Sequence, residues 1–154
     1  MILFTSDLLF GSKILGAAKF AGLRGQGVRN RAGFAQHAAL ASHYFLDLEA
    51  ELAEGESPEE LLDAALGHPH LAVYVFAGHV HADKLRAAQA KLAAASAKLR
   101  GATNHQTASN QTASNQTASD PAASAPVASR EVHSRGSLAS RLPLILPPRT
   151  VENT

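Results

Sequence analysis

Leu71-Ala-Val-Tyr-Val-Phe-Ala77 is an unbroken apolar run, β-branched and aromatic through its centre and closed by Gly78. A strand with one wet face alternates apolar and polar residues, whereas a continuous run of this length belongs to a strand covered on both faces, as in a parallel sheet. The flanking segments supply the covers. Upstream, Ser57-Pro-Glu-Glu60 is a helix start in which Ser57 and Glu60 satisfy free N–H groups reciprocally and Pro58 has no N–H to leave unpaired. This helix turns Leu61, Leu62, Ala65 and Leu66 inward and ends at Gly67, with Pro69 beyond. Downstream, a helix over about Ala82 to Arg100 places Leu85, Ala88, Leu92, Ala95 and Leu99 on one stripe, and Gly101 follows as its stop.

Further out the alternation repeats. Met1-Ile-Leu-Phe-Thr5 reads as a first strand and not as a signal peptide, since no positive segment leads it and Asp7 interrupts the apolar stretch. Ser6 or Asp7 caps a helix running to about Ala21, with Phe10, Ile14, Ala17, Ala18 and Ala21 inward and Gly22 as a left-handed stop. Leu23 to Val28 is the second strand, poor in propensity because of Gly25 and Gly27. Asn30 caps a second helix with Phe34, His37, Ala38 and Ala41 on one side, and Tyr44-Phe-Leu-Asp-Leu48 is the third strand. Arg130-Glu-Val-His-Ser134 is the fifth. Ser137 caps a last helix carrying Leu138, Leu142 and Ile145, bent by Pro143 and ended by Pro147-Pro148. Five strand–helix units imply an α/β fold: a doubly wound five-stranded parallel sheet with helices on both faces. Such sheets bind ligands beyond the carboxyl ends of their strands, so function is expected just after residues 5, 48, 77 and 134.

Between the fourth helix and the fifth strand the composition changes to small polar residues, with Asn-Gln-Thr-Ala-Ser repeated at 110–114 and 115–119. Such a tract buries too little apolar surface to offset its ordering entropy. The expected organisation is therefore four units over 1–101, a disordered insertion over 102–127, the fifth unit over 128–146 and a disordered tail over 147–154. Asn110 and Asn115 lie in Asn-x-Thr sequons, which matter only in a secreted setting.

The chain of 154 residues has no cysteine, which excludes disulfides, cysteine-based zinc sites, iron–sulfur clusters and thiol nucleophiles. Its 14 basic and 13 acidic residues leave a net charge of +1 and no electrostatic footprint for nucleic acid or an anionic membrane. No apolar run approaches the roughly 20 residues that span a bilayer. A cytoplasmic location is the expectation.

Among motifs that carry chemistry, Gly78-His-Val-His-Ala-Asp-Lys84 offers two imidazoles and a carboxylate after a strand, which would suit zinc in a metal-dependent hydrolase acting through His79, His81 and Asp83. More simply, Asp83 favours the positive start of the helix that follows. His68 and His70 flank Pro69 and are expected in solvent. Gly22-Leu-Arg-Gly-Gln-Gly27 has the wrong spacing for a phosphate loop, and no nucleophile elbow is present.

By the order and spacing of these units, the chain resembles the response-regulator receiver family over about residues 1–101 and 128–146. Phe45-Leu-Asp-Leu48 is similar to the family's acceptor strand, and Met1 to Phe10 to its first strand and helix start. The resemblance implies a flavodoxin-like fold, a bacterial phosphorelay setting, and Asp47 as the aspartate that takes phosphate from a histidine kinase. It also exposes departures. Thr5 and Ser6 fall at the acidic pair that holds magnesium, with Asp7 one place late. Ala77, or Gly78 with a slip, falls at the family's hydroxyl, and Ser134 or Arg135 at its lysine. Phosphoryl transfer to a carboxylate needs a divalent cation held by several oxygens. Asp47, helped by Asp7, makes a poor cage, and Mg²⁺ enters only if Asp47 is an acceptor after all. The expectation is a degenerate receiver, not an enzyme, that binds a partner protein or a second copy of itself. The alternative is a single-domain response regulator phosphorylated at Asp47.

Overall fold

The computed structural model describes residues 1–52, 55–108 and 128–149. Strands and helices alternate as β1 (Ile2–Phe4), α1 (Leu8–Phe20), β2 (Gln26–Gly27), α2 (Arg31–Ala38), β3 (His43–Asp47), α3 (Pro58–Leu66), β4 (Ala72–Ala77), α4 (Ala82–Ala108), β5 (Arg130–Ser134) and α5 (Arg135–Ile145). The sheet has the order β2-β1-β3-β4-β5 with every pairing parallel, a doubly wound, flavodoxin-like arrangement. Its direction of winding reverses between β1 and β3, so a crevice is expected at their carboxyl ends.

Side-chain parity divides the core. Ile2, Phe4, Tyr44, Leu46, Val73 and Val75 pack under α2, α3 and α4, meeting Phe34, Leu61, Leu62, Ala88 and Leu92. Leu3, Phe45, Tyr74 and Phe76 face the other way, onto Ile14 and Ala18 of α1 and Leu138 and Leu142 of α5. The two tyrosines thus sit on opposite faces. Tyr44 lies 4.9 Å from the Phe34 ring, and Tyr74 stacks on Phe45 at 5.0 Å. β4 is buried at all six of its residues, as its continuous apolar run implies.

The caps follow the local sequence. Asp7 accepts from Phe10 N–H, Asn30 from Gly33 N–H and Ser57 from Glu60 N–H. Gly22 takes the left-handed φ of 72° that lets the chain leave α1.

Several expectations are corrected. The second strand shrinks from Leu23–Val28 to Gln26–Gly27; Gly25 and Gly27 weaken its propensity, and Leu15 packs so closely over Gly25 that a Cβ there would come within 2.5 Å of it. His37 is exposed; Phe34 and Ala38 alone of α2 are buried. The cap of α5 is Ser134, which accepts from Ser137 N–H at 3.2 Å, so the helix begins three residues earlier than Ser137 would allow. Gly101 does not stop α4, which continues through Ala108. Residues 102–108 of the expected disordered insertion are therefore helical, and 109–127 lie outside the described residues. Of the expected disordered tail, Arg149 docks: its N–H donates to Phe20 O at 3.1 Å and its side chain lies over Gly22. Residues 150–154 lie outside the described residues.

Candidate functional site

Strand register brings the site together. Phe4 stands beside Leu46, Asp47 beside Phe76, and Ala77 beside Ser134, so the carboxyl ends of β1, β3, β4 and β5 finish almost level. Thr5 and Asp7 follow β1, Asp47 closes β3, Gly78 follows β4, and Arg135 opens α5. The absence of a side chain at Gly78 matters here. A Cβ on it would come within 3.1 Å of Glu49 Oε2, the atom that accepts the Gly78 N–H.

Asp47 is completely buried. Its Oδ2 accepts from Thr5 Oγ1 at 2.7 Å and from Arg135 Nη2 at 3.0 Å, and its Oδ1 accepts from Glu49 N–H at 3.1 Å. Thr5 Oγ1 also accepts from Asp7 N–H at 3.1 Å, which ties the start of α1 to β3 through one hydroxyl. The Arg135 guanidinium meets three carboxylates: Asp47, Glu49 at 3.1 Å and Asp7 at 3.7 Å. Around this centre His81 Nε2 lies 2.7 Å from Glu49 Oε1, and Lys84 Nζ donates to Leu48 O at 3.2 Å. Ser6 is exposed and opens with Thr5, Arg29, Asn30 and Glu51 onto a cleft of about 520 Å³.

A buried carboxylate persists when it is paired and its remaining lone pairs accept hydrogen bonds. Asp47 meets both conditions, and both its oxygens are engaged. The arrangement is an ion-paired cluster whose positive member is a side chain. It is poorly suited to magnesium, since Thr5 and Ser6 bring no carboxylates while Asp7 and Glu49 face Arg135. Among the described residues, no group of three His, Asp or Glu side chains is disposed to hold a metal ion.

Of the positions singled out in the sequence, Thr5, Asp7, Asp47 and Arg135 converge, Ala77 lines the buried end of β4, and Ser6 points elsewhere. Glu49 was not among them. Its signal is the Asp-Leu-Glu triplet over residues 47–49, which sets two carboxylates two residues apart at a strand end. The zinc grouping does not form: His81 turns to Glu49, and Asp83 pairs with Arg86 at 3.3 Å. His70 is exposed as expected, with Nε2 within 3.1 Å of Ala38 O, whereas His68 is half-buried and its ring packs edge-on to Phe34 at 5.8 Å. No helix among the described residues is long and apolar enough to cross a membrane.

No protein-family model matches the chain, and no curated protein matches it.

Proposed function

We propose that this chain is a receiver-like signalling module that keeps the geometry of a phosphoacceptor site without efficient phosphotransfer, and that it acts by binding a partner protein or a second copy of itself. The observation that carries the reading is the environment of Asp47: wholly buried, with both oxygens engaged by Thr5, Glu49 N–H and Arg135. A phosphoryl donor needs an approach in line with a free carboxylate oxygen and a divalent cation to offset the charge that develops. Here the approach is closed and a guanidinium supplies the positive charge. It is a planar monocation that makes directional hydrogen bonds, so it satisfies the carboxylates without leaving coordination positions for phosphate oxygens.

The test is incubation with phosphoramidate or acetyl phosphate and Mg²⁺, followed by intact mass measurement of the wild type and Asp47→Asn. The expected spectrum shows no adduct in either. A single phosphate on the wild type that Asp47→Asn abolishes would overturn the reading in favour of a functioning response regulator.

A further inference from the structure

Strand β5 is an edge of the sheet, hydrogen-bonded to β4 alone. Val73 N–H donates to Ser129 O at 2.8 Å, which fixes the parity of the ladder: the backbone of Ser129, Glu131 and His133 faces β4, and that of Arg130 and Val132 faces outward. Along this edge runs a groove of about 620 Å³, walled by Leu92 and Ser96 of α4 and by Ser137 and Arg141 of α5. Unpaired strand edges are templates for another strand, and proteins ordinarily blunt or cover them. This edge is flanked by helices but has no strand partner among the described residues.

The charges along the groove are unequally compensated. Glu131 accepts from Ser129 Oγ and pairs with His133 at 3.0 Å and Arg141 at 3.7 Å. Arg130 has no carboxylate partner among the described residues. Its Nη2 reaches Leu66 O at 3.5 Å, while Nε and Nη1 are buried without a hydrogen bond. Burial lowers the pKa of this guanidinium. An unpaired buried donor costs free energy that a carboxylate in the groove recovers once the Arg130 side chain turns to meet it.

We infer that the β5 edge is a docking site for an extended acidic segment of a partner protein, which adds as a strand against Arg130 and Val132 and brings a carboxylate to the Arg130 guanidinium. Main-chain bonds supply affinity in such an addition, and side chains on one face of the added strand supply selectivity. This rests on the partner-binding reading above and names the surface and the chemistry of the partner.

The experiment uses the full chain and three labelled hexapeptides: alternating Val-Glu, alternating Val-Lys, and the Val-Glu peptide with its third and fourth residues both replaced by proline, so that a donor facing β5 is lost in either strand direction. Alternation sets all the carboxylates on one face of an added strand. Fluorescence anisotropy should show the Val-Glu peptide binding, the Val-Lys peptide roughly ten-fold weaker or worse, and the proline peptide weakened by the loss of a main-chain donor. Arg130→Gln should erase the preference for Glu over Lys. In the wild type, bound Val-Glu peptide should slow hydrogen exchange of the Arg130 and Val132 amides, a readout that stands even if the variant fails to fold. Equal binding of the acidic and basic peptides, full binding of the proline peptide, or unchanged exchange at Arg130 and Val132 would each overturn the inference. The two readings fail separately. Phosphate on Asp47 with peptide still bound at β5 sinks only the proposed function, and an unmodified Asp47 with no peptide bound sinks only this one.

Discussion

Strand β5 has an arginine at its start and another immediately past its end, and the two occupy opposite electrical conditions. Arg135 is ringed by Asp47, Glu49 and Asp7, whereas Arg130, among the described residues, meets one distant carbonyl. The same residue type, at the first position of β5 and the first of α5, is structural at one place and, among the described residues, without a counter-charge at the other. What separates them is topology. The carboxyl ends of parallel strands gather the polar turns of β1, β3 and β4, so a cation placed there finds acids, while the start of the edge strand β5 has no acid within ion-pair distance of Arg130 among the described residues.

The largest expected effect breaks the compensated end. Arg135→Met keeps much of the aliphatic stem and removes the charge, leaving the buried Asp47 carboxylate beside Glu49 with no cation. Removing one partner of a buried pair costs about 3–5 kcal/mol, and the lower end applies because Thr5 Oγ1 and Glu49 N–H still donate. Asp47→Asn should cost less, about 1–2 kcal/mol, since Arg135 is partly exposed and retains Glu49 and Asp7. Urea denaturation of both variants checks the ranking, and equal losses would mean that Arg135 and Asp47 are not coupled as described.

A smaller effect, of opposite character, belongs to the other arginine. Arg130→Met should leave stability within about 1 kcal/mol of the wild type or raise it, because the substitution removes a cation that, among the described residues, has only a long bond to Leu66 O and no carboxylate to lose. A loss as large as that of Arg135→Met would erase the contrast between the two ends of β5.

The smallest effect reads the same contrast along β3, which begins at His43 and ends at Asp47. Burial lowers the His43 pKa below its ordinary value of 6.5, and its ring stacks over Tyr74 at 6.2 Å. The folded state therefore favours the neutral imidazole and the unfolded chain takes up a proton more readily. This contribution is complete above pH 6.5 and declines as the pH falls from there toward the lowered folded value. Urea midpoints at pH 7.5 and 5.5 should fall less steeply in His43→Gln than in the wild type. Identical slopes would remove His43 from the acid response.

Much of this architecture was legible because it rests on periodicity. The apolar run over residues 71–77, the Ser57-Pro-Glu-Glu60 start and the inward positions of α1 all report local physics, and all five strand–helix units stand where the pattern puts them. β2 was overdrawn because a glycine-rich edge strand depends on its neighbour for its length. Ser137 was a sound cap by type, but Ser134 was another, and the end of β5 decided between them. In the site, Asp47 and Arg135 were visible as positions. That Glu49 and Asp7 converge on the same guanidinium was not, because an ion pair depends on distances between strands that no local pattern encodes. Arg130 was hidden for the same reason: a cation without an acid looks, in sequence, like any other.

The placement of the two tyrosines gives the molecule an optical division of labour. The chain has no tryptophan, so its intrinsic emission comes from Tyr44 under α2 and α3 and from Tyr74 between the sheet and α1 and α5. Each packing layer carries one chromophore. Tyr44 has a buried hydroxyl without a hydrogen bond, so exchanging it for phenylalanine silences one layer at little structural cost and leaves the other to report alone. Loosening of either layer thus has its own signal, with no foreign label in the protein.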